Sequence, residues 1–323
     1  MVLAQSLFKT LRLNHPDAAL DVLAPGWSAA LLDRMPEVRR SITLAVGHGE
    51  LKLGARWALA RTLRDAHYDW AIVLPNSLKS ALVPWFAQIP RRTGFRGEWR
   101  YGLLNDVRTL DKARLPRTVD RFVALALAPD TALPSAVPAP RLRVDDAGVQ
   151  RARDRLGLPP SVRPILALCP GAEYGPAKRW PVEHFAEVAQ HQTAAGWDVW
   201  LFGSDKDRDI ANDIAQRAGA GCSNLAGRTA LGEAIDLMSQ AAAVVSNDSG
   251  LMHVAAALNR PLIAIYGSSD PNFTPPMNAQ AQVVRLGLDC SPCFQRTCPL
   301  GHTRCLRDIT PESVMARLAA IAR

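Results

Sequence analysis

The chain has 323 residues, of which 48% are apolar, and it carries a formal net charge of +8. This length predicts two domains, and the apolar content is sufficient for two hydrophobic cores. Every apolar run is shorter than the roughly 18 residues that span a bilayer, and the first residues lack the pattern of a signal peptide. These features favour a cytoplasmic protein over an integral membrane protein. The positive charge predicts an anionic partner, which leaves nucleic acid, a nucleotide or an anionic membrane surface.

The first part of the chain alternates between helical and strand-like patterns. Apolar runs that predict strands cover residues 19–24, 41–46 and 70–74, and helical patterns cover residues 29–35 and 49–67. This alternation predicts a doubly wound α/β domain, which normally opens with a central strand. Here the opening pattern, residues 2–13, is helical. The first strand of the domain and the loop after it are therefore expected to be missing.

Basic residues concentrate between Arg91 and Arg117, where eight of them accompany three acidic residues. Phe95, Trp99 and Tyr101 are interleaved with them. Arginine and aromatic side chains together suit a nucleic acid, and forked guanidinium groups equally suit a phosphorylated, acidic glycolipid. A solvated loop is the third interpretation. The sequence has no recognisable nucleic-acid-binding motif, which weighs against the first one.

A proline-rich stretch predicts the boundary between two domains. Residues 128–140 hold four prolines in thirteen positions, which favours a stiff, extended connection. We therefore predict an N-terminal domain at residues 1–143, with the linker at 128–143, and a C-terminal domain at residues 144–323. The second domain repeats the strand–helix alternation and ends in a helical pattern at residues 311–322.

Three loops of the second domain follow predicted strands and have chemistry suited to a nucleotide. The first, residues 170–180, ends with Lys178, which could reach a diphosphate as a point charge. In the second, residues 203–207, Asp207 could accept from ribose hydroxyls. The third is the turn Ser-Asn-Asp-Ser-Gly. In it Asp248 or Ser249 is placed to cap a helix, Gly250 permits a sharp turn, and His253 lies on the first helical turn. A plain strand–helix–strand crossover, in which the aspartate only caps its helix, is the alternative for this segment. Free amides at a helix N-terminus favour a phosphate.

Four cysteines, Cys290, Cys293, Cys298 and Cys305, lie within sixteen residues. A pair separated by two residues is a common zinc half-site, so a structural metal or a redox pair is one interpretation. Free thiols are the other, and we predict no metal site. Cys169 and Cys222 have the pattern of ordinary core cysteines.

Beyond these patterns, several segments resemble a known family. PGAEYGPAKRW, LFGSDKD, NLAGRT, SNDSGLMHVAAALNRPLIAIYG and FTPP occur in the order found in the ADP-heptose:lipopolysaccharide heptosyltransferases of glycosyltransferase family 9. VLPNSLKSALVPWF and RTGFRGEWRYGLLNDVR resemble the heptosyltransferase II branch of that family. The resemblance covers nearly the whole chain. It implies a GT-B fold, which consists of two Rossmann-like domains facing across a cleft.

The resemblance also implies a reaction and a set of site residues. Heptose would be transferred from ADP-heptose to the first heptose of the lipid A inner core, with inversion and without a metal or other cofactor. Donor binding would fall to Lys178, Asp207, Asp248, Ser249, Gly250 and His253, and acceptor binding to Asn76, Lys79, Arg91, Arg92, Arg96 and Arg100. The acceptor, with its Kdo carboxylates and lipid A phosphates, implies an enzyme that is peripheral on the cytosolic face of the inner membrane. We expect this enzyme to be a monomer. No nucleic acid partner is implied.

One departure from the family concerns catalysis. In the family a Gly-Asp loop precedes the segment that opens this chain, and its aspartate is the expected general base. That aspartate would lie just before Met1, so this chain is expected to contain no catalytic base and to have little activity. The alternatives are another nucleotide-sugar transferase or epimerase of GT-B fold, and a truncated, non-catalytic nucleotide-binding chain.

Overall fold

The computed structural model describes residues 1–47, 49–160 and 162–321. The chain divides into two compact units between Pro138 and Ala139, within the predicted proline-rich linker. Each unit is a parallel α/β assembly. The predicted helix at residues 311–322 is present as Pro311–Ile321, and the last two residues of the chain lie outside the described part.

The N-terminal unit contains two small parallel sheets. Strands β1 (Asp21–Ala24) and β2 (Arg40–Thr43) form one, and β3 (Trp70–Ile72), β4 (Arg91–Phe95) and β5 (Asp106–Arg108) form the other in that order. The helices are α1 (Gln5–Asn14), α2 (Ala29–Leu32), α3 (Leu53–Arg64), α4 (Leu82–Phe86) and α5 (Thr118–Leu125). Helix α1 contacts α5, and α3 contacts α4. Ala60 and Leu63 of α3 share a buried cluster with Val83 and Ile89, so the inner face of α3 packs against α4 and the segment that precedes β4.

The C-terminal unit is built on a six-stranded parallel sheet. Its strands are β6 (Ile165–Cys169), β7 (Asp198–Leu201), β8 (Cys222–Asn224), β9 (Ala243–Asn247), β10 (Leu262–Ile265) and β11 (Ala281–Val284). Their order is β11-β10-β9-β6-β7-β8. The helices are α6 (Asp146–Leu156), α7 (Val182–Ala194), α8 (Arg208–Ala218), α9 (Leu231–Met238), α10 (Gly250–Ala257), α11 (Arg304–Arg307) and α12 (Pro311–Ile321).

Burial explains why the sequence specifies the centre of this sheet so clearly. Every residue of β6, β9 and β10 is buried, as expected of parallel strands covered on both faces. Helices α7, α8 and α12 pack with these strands into one large hydrophobic cluster that includes Trp180, Phe185 and Ile214. The α/β fold class predicted from the sequence is therefore confirmed.

Several element boundaries and two strands differ from the prediction. Most helices and strands are shorter by a few residues; the helix predicted at residues 49–67, for example, is α3 at Leu53–Arg64. Strands β4 and β5 lie in the basic stretch, where the sequence predicted no strand. The strand pattern of β4 was not recognised because its first two residues, Arg91 and Arg92, are charged. Their guanidinium groups contact partners outside the sheet core.

Candidate active site at the switch point of the C-terminal sheet

The strand order of the C-terminal sheet reverses at β6. Strand β6 pairs with β7 on one side and with β9 on the other, and all these pairs are parallel. In open parallel sheets the loops that leave two such neighbouring strands diverge and form a crevice at their carboxyl ends, where ligands bind. The loop after β6 carries Lys178, and the turn after β9 carries Asp248. The topology thus brings together two of the loops that the sequence singled out.

Buried hydrogen bonds of Asn247 fix these two loops to each other. Its side-chain oxygen accepts from the backbone N–H of Trp180 at 3.0 Å, and its Nδ2 donates to the carbonyl of Pro170 at 2.7 Å. Trp180 is itself buried, and its indole N–H donates to the carbonyl of Ile309 at 2.9 Å. Because these buried groups of Asn247 and Trp180 are hydrogen-bonded, both ends of the loop that carries Lys178 are held in place. Sequence reasoning missed Asn247, although a buried polar residue at the end of a strand that begins with an apolar run is a signal of this role.

Lys178 and Asp248 form an ion pair at the mouth of this crevice. Lys178 Nζ lies 2.5 Å from Asp248 Oδ2, and the two side chains are 17% and 5% exposed. The hydroxyl of Ser269 donates to the same carboxylate oxygen at 2.5 Å, so Asp248 is oriented from two directions. The lysine also lies over the ring of Tyr174, with 5.1 Å between Nζ and the ring centroid. A charged lysine fixed beside a helix N-terminus can bind a phosphate. Ser269 was not identified from the sequence.

Helix α10 begins directly after this pair. Ser249 is its N-cap residue in an extended conformation, but the serine side chain makes no capping hydrogen bond. Gly250, the first helical residue, is exposed, and a Cβ added there would meet no atom within 4 Å. The first turn of α10 therefore presents backbone N–H groups without a side-chain cap, and the helix dipole favours an anion there.

His253 lies one turn into α10 and is uncharged at neutral pH. Its Nδ1 is buried and has no hydrogen-bond partner among the described residues. Burial lowers the pKa of the imidazole to about 4, against the opposing effect of the Asp248 carboxylate. The ring is therefore a neutral donor or acceptor close to the ion pair.

Asp207 has a structural role within its own loop. Its Oδ2 accepts from the backbone N–H of Ser204 at 2.9 Å and from the serine hydroxyl at 2.7 Å, which forms a capping box before α8. The carboxylate packs against Gly171, where an added Cβ would lie 2.4 Å from Asp207 Cγ. Asp207 thus positions the loop after β7 against the loop after β6. Its contact with a ribose stays a prediction.

The predicted acceptor residues fall into two groups. Arg100 is buried and donates to the carbonyls of Pro75 and Phe95, and Arg92 donates to the carbonyls of Leu103 and Ile89. Arg91 stacks on Trp70 and pairs with Asp106. These three arginines hold the N-terminal unit together. Asn76 and Arg96 are exposed and Lys79 is half-buried, so these three remain accessible to a ligand. Arg91 is exposed as well, although its guanidinium is paired with Asp106. The acceptor role of all six stays a prediction.

The four clustered cysteines, Cys290, Cys293, Cys298 and Cys305, line one small cavity. All four are free thiols. Within residues 1–47, 49–160 and 162–321, no three His, Cys, Asp or Glu side chains are arranged to hold a metal ion. The pKa of Cys298 is lowered because backbone N–H groups, chiefly that of Thr303, point at its sulfur, whereas burial raises the pKa of Cys305.

The cysteine segment supports the lysine loop from outside. The carbonyl of Arg296 accepts from the backbone N–H of Ala177 at 3.0 Å, and that of Phe294 accepts from the Tyr174 hydroxyl at 2.5 Å. Gly175 lies so close that an added Cβ would be 2.5 Å from the Arg296 carbonyl oxygen. The residues that precede Lys178 are therefore positioned by this segment.

Comparisons with known proteins place this geometry in a family. Residues 56–304 match the family described as Glycosyltransferase family 9 (heptosyltransferase). The chain is 48% identical to the lipopolysaccharide heptosyltransferase 2 of Escherichia coli K12, over 99% of this chain and 94% of that protein. The chain belongs to glycosyltransferase family 9. This transferase is also 44% identical to the lipooligosaccharide heptosyltransferase 2 of Haemophilus influenzae, over 98% of its own length and 94% of that protein.

A solved structure agrees with the sequence comparisons. The structure of E. coli ADP-heptose lps heptosyltransferase II superposes on the transferase with a TM-score of 0.90 at 46% identity, and covers 100% of this chain and 95% of that one. The GT-B class predicted from the resemblance is confirmed, and the protein is a glycosyltransferase. In the described part of the chain, no helix combines the length and the apolar character that crossing a bilayer requires.

Proposed function

We propose that this transferase moves L-glycero-D-manno-heptose from ADP-heptose to the first heptose of the lipopolysaccharide inner core, with inversion and without a metal ion. The observation that carries the proposal is the Lys178–Asp248 ion pair, which lies at the switch point of the C-terminal sheet beside the uncapped N-terminus of α10. This combination suits a diphosphate attached to a sugar. The names of the relatives at 44–48% identity support heptose as that sugar.

The chemistry assigned to these residues is stabilisation of the leaving group. The bond between the anomeric carbon and the β-phosphate oxygen breaks, and a new bond forms from that carbon to an acceptor hydroxyl, whose proton passes to solvent water. Negative charge then grows on the departing ADP. Lys178 and the backbone N–H groups at Ser249 and Gly250 are placed to stabilise that charge. Asp248, which Ser269 orients, would lie beside the heptose. Among the described residues we assign no general base.

We assign binding of the acceptor to accessible polar residues of the N-terminal unit. Asn76, Lys79 and Arg96 would face Kdo carboxylates and lipid A phosphates, for which a cationic surface is suited. Arg91, Arg92 and Arg100 would act indirectly, because their guanidinium groups already hold the strands and loops that carry the accessible residues. The protein would work as a monomer on the anionic, cytosolic face of the inner membrane.

Turnover of defined substrates tests this assignment. The purified chain is incubated with ADP-heptose and heptosyl-Kdo2-lipid A, and both ADP release and the mass of the lipid product are followed. We expect slow addition of one heptose that depends on ADP-heptose, because no general base is assigned among the described residues. We expect ADP but not UDP to compete. Equal competition by ADP and UDP, or transfer from a UDP-sugar, would instead assign the protein to another nucleotide-sugar reaction.

A further inference from the structure

The N-terminal unit exposes apolar side chains that its own core does not use. Leu51 and Leu53, at the start of α3, are 48% and 49% exposed, and Trp57 lies one turn further along the same helix face. Trp99, in the loop after β4, is 83% exposed. We refer to these four residues as the apolar edge. Exposed tryptophan and leucine side chains that group together mark an interaction surface more often than single apolar residues do.

A buried arginine holds the first part of the apolar edge in place. The guanidinium of Arg56 donates to three backbone carbonyls, those of Leu51 at 2.6 Å, Lys79 at 3.1 Å and Glu50 at 3.2 Å. Next to them, Lys52 has a φ of 37°, a left-handed conformation that is costly for a residue with a side chain. The turn that exposes Leu51 and Leu53 is therefore held by the buried charge of Arg56, and it includes the strained residue Lys52.

The same backbone segment connects this turn to the loop of Trp99. Arg56 reaches the carbonyl of Lys79, while the carboxylate of Glu98 accepts from the N–H of Leu78 at 3.0 Å. The backbone N–H of Glu98 in turn donates to the carbonyl of Asn76 at 3.1 Å. Both apolar loops therefore border residues 76–79, which carry two of the proposed acceptor residues.

Basic side chains surround the apolar edge. The guanidinium of Arg61 lies over the ring of Trp57, with 5.0 Å between its central carbon and the ring centroid. Exposed neighbours in sequence are Lys52, Arg64 and Arg96, against the acidic Glu50 and Glu98. Leucine and tryptophan between lysine and arginine side chains is the arrangement that enters the interface of an anionic bilayer.

We propose that the apolar edge docks the transferase onto an anionic phospholipid bilayer, so that residues 76–79 lie at the headgroup level. This inference deepens the proposed function, because it names the surface that would present a lipid-anchored acceptor. Leu51 and Leu53 enter the interface, Trp57 and Trp99 lie at its boundary, and the basic residues contact the headgroups. The charge surrounding the apolar edge favours a bilayer over a second copy of this cationic chain.

Vesicle binding of matched leucine variants tests the docking. The full chain is mixed with sedimentable vesicles of phosphatidylcholine, with or without phosphatidylglycerol, and the partition coefficient is measured. We expect binding only with phosphatidylglycerol, and a loss of about tenfold for the double variant Leu51→Ser, Leu53→Ser, since two leucine side chains leave the interface. The control is Leu286→Ser, Leu300→Ser, whose leucines are 43% and 61% exposed in the C-terminal unit. Its binding should change by less than about twofold, as expected of scattered surface leucines.

Two further readouts separate the docking from the reaction. On a deacylated, water-soluble acceptor, the Leu51/Leu53 variant should match the parent, and on a vesicle-embedded acceptor it should be slower in proportion to its lost binding. If the parent transfers no heptose yet the variant still loses vesicle binding, only the proposed function fails. Equal vesicle binding by both double variants overturns the docking. A second result would also overturn the docking. In it, light scattering shows that the parent is a dimer, the Leu51/Leu53 variant is a monomer, and the two bind vesicles equally. The apolar edge would then join two copies of the chain.

Discussion

The buried imidazole of His253 makes a quantitative prediction about acid stability. Burial lowers the pKa of His253 to about 4, whereas the ordinary value is 6.5. As the pH falls below 6.5, His253 becomes protonated in the unfolded chain but stays neutral in the folded chain. The free energy of unfolding therefore decreases until about pH 4. Above 6.5 the contribution is fully present. The shift corresponds to about 3 kcal/mol in total, of which about 2 kcal/mol is lost by pH 5.

The variant His253→Asn isolates this effect, because the asparagine does not titrate. Urea unfolding of both proteins is measured without ligand at about pH 7.5 and about pH 5. The stability of the parent relative to the variant should fall by about 2 kcal/mol between these conditions. In parallel, the imidazole resonance that the variant lacks is followed by NMR. A His253 signal that titrates near pH 6.5, or a stability difference that is the same at both pH values, would refute the reasoning.

Three further predictions concern the loops around the site. Lys178→Met should weaken ADP binding by about tenfold or more in calorimetry, since a charge-assisted contact to phosphate is lost, whereas Lys206→Met on the neighbouring loop should bind like the parent. Iodoacetamide should alkylate Cys298 before Cys169, as read by mass spectrometry, because backbone N–H groups lower the pKa of Cys298 and burial raises that of Cys169 to about 12. Gly171→Ala should lower the free energy of unfolding by about 1–3 kcal/mol in a urea titration, because the new methyl group collides with a buried carboxylate.

The centre of the site could be predicted from the sequence because each of its parts is local. Strand β6 is a continuous apolar run, strand β9 begins with one, and the polar residues that follow lie within a few positions of each other before α10. Lys178 and Asp248 then meet because the loops after two neighbouring parallel strands leave the same sheet edge. No contact had to be known for this inference, only the direction and adjacency of the strands.

The residues that the sequence did not reveal depend on contacts between distant segments. Ser269 reaches Asp248 from the loop after β10, and Asn247 binds the backbone on both sides of the lysine loop. In the basic stretch, composition could not show where each guanidinium group points. Arg92 and Arg100 point inward to backbone carbonyls, and their contact with an acceptor stays a prediction. Only a structure distinguishes an arginine that binds a substrate from one that holds the loop beside it.

The ion pair bears on the affinity for the proposed diphosphate. Because Lys178 and Asp248 contact each other, a diphosphate would have to compete with the carboxylate for the ammonium group. Ser269 donates to the same carboxylate oxygen, so Asp248 would keep one hydrogen-bond partner if the lysine turned to a phosphate. The cost of loosening the ion pair would then reduce the free energy gained on diphosphate binding.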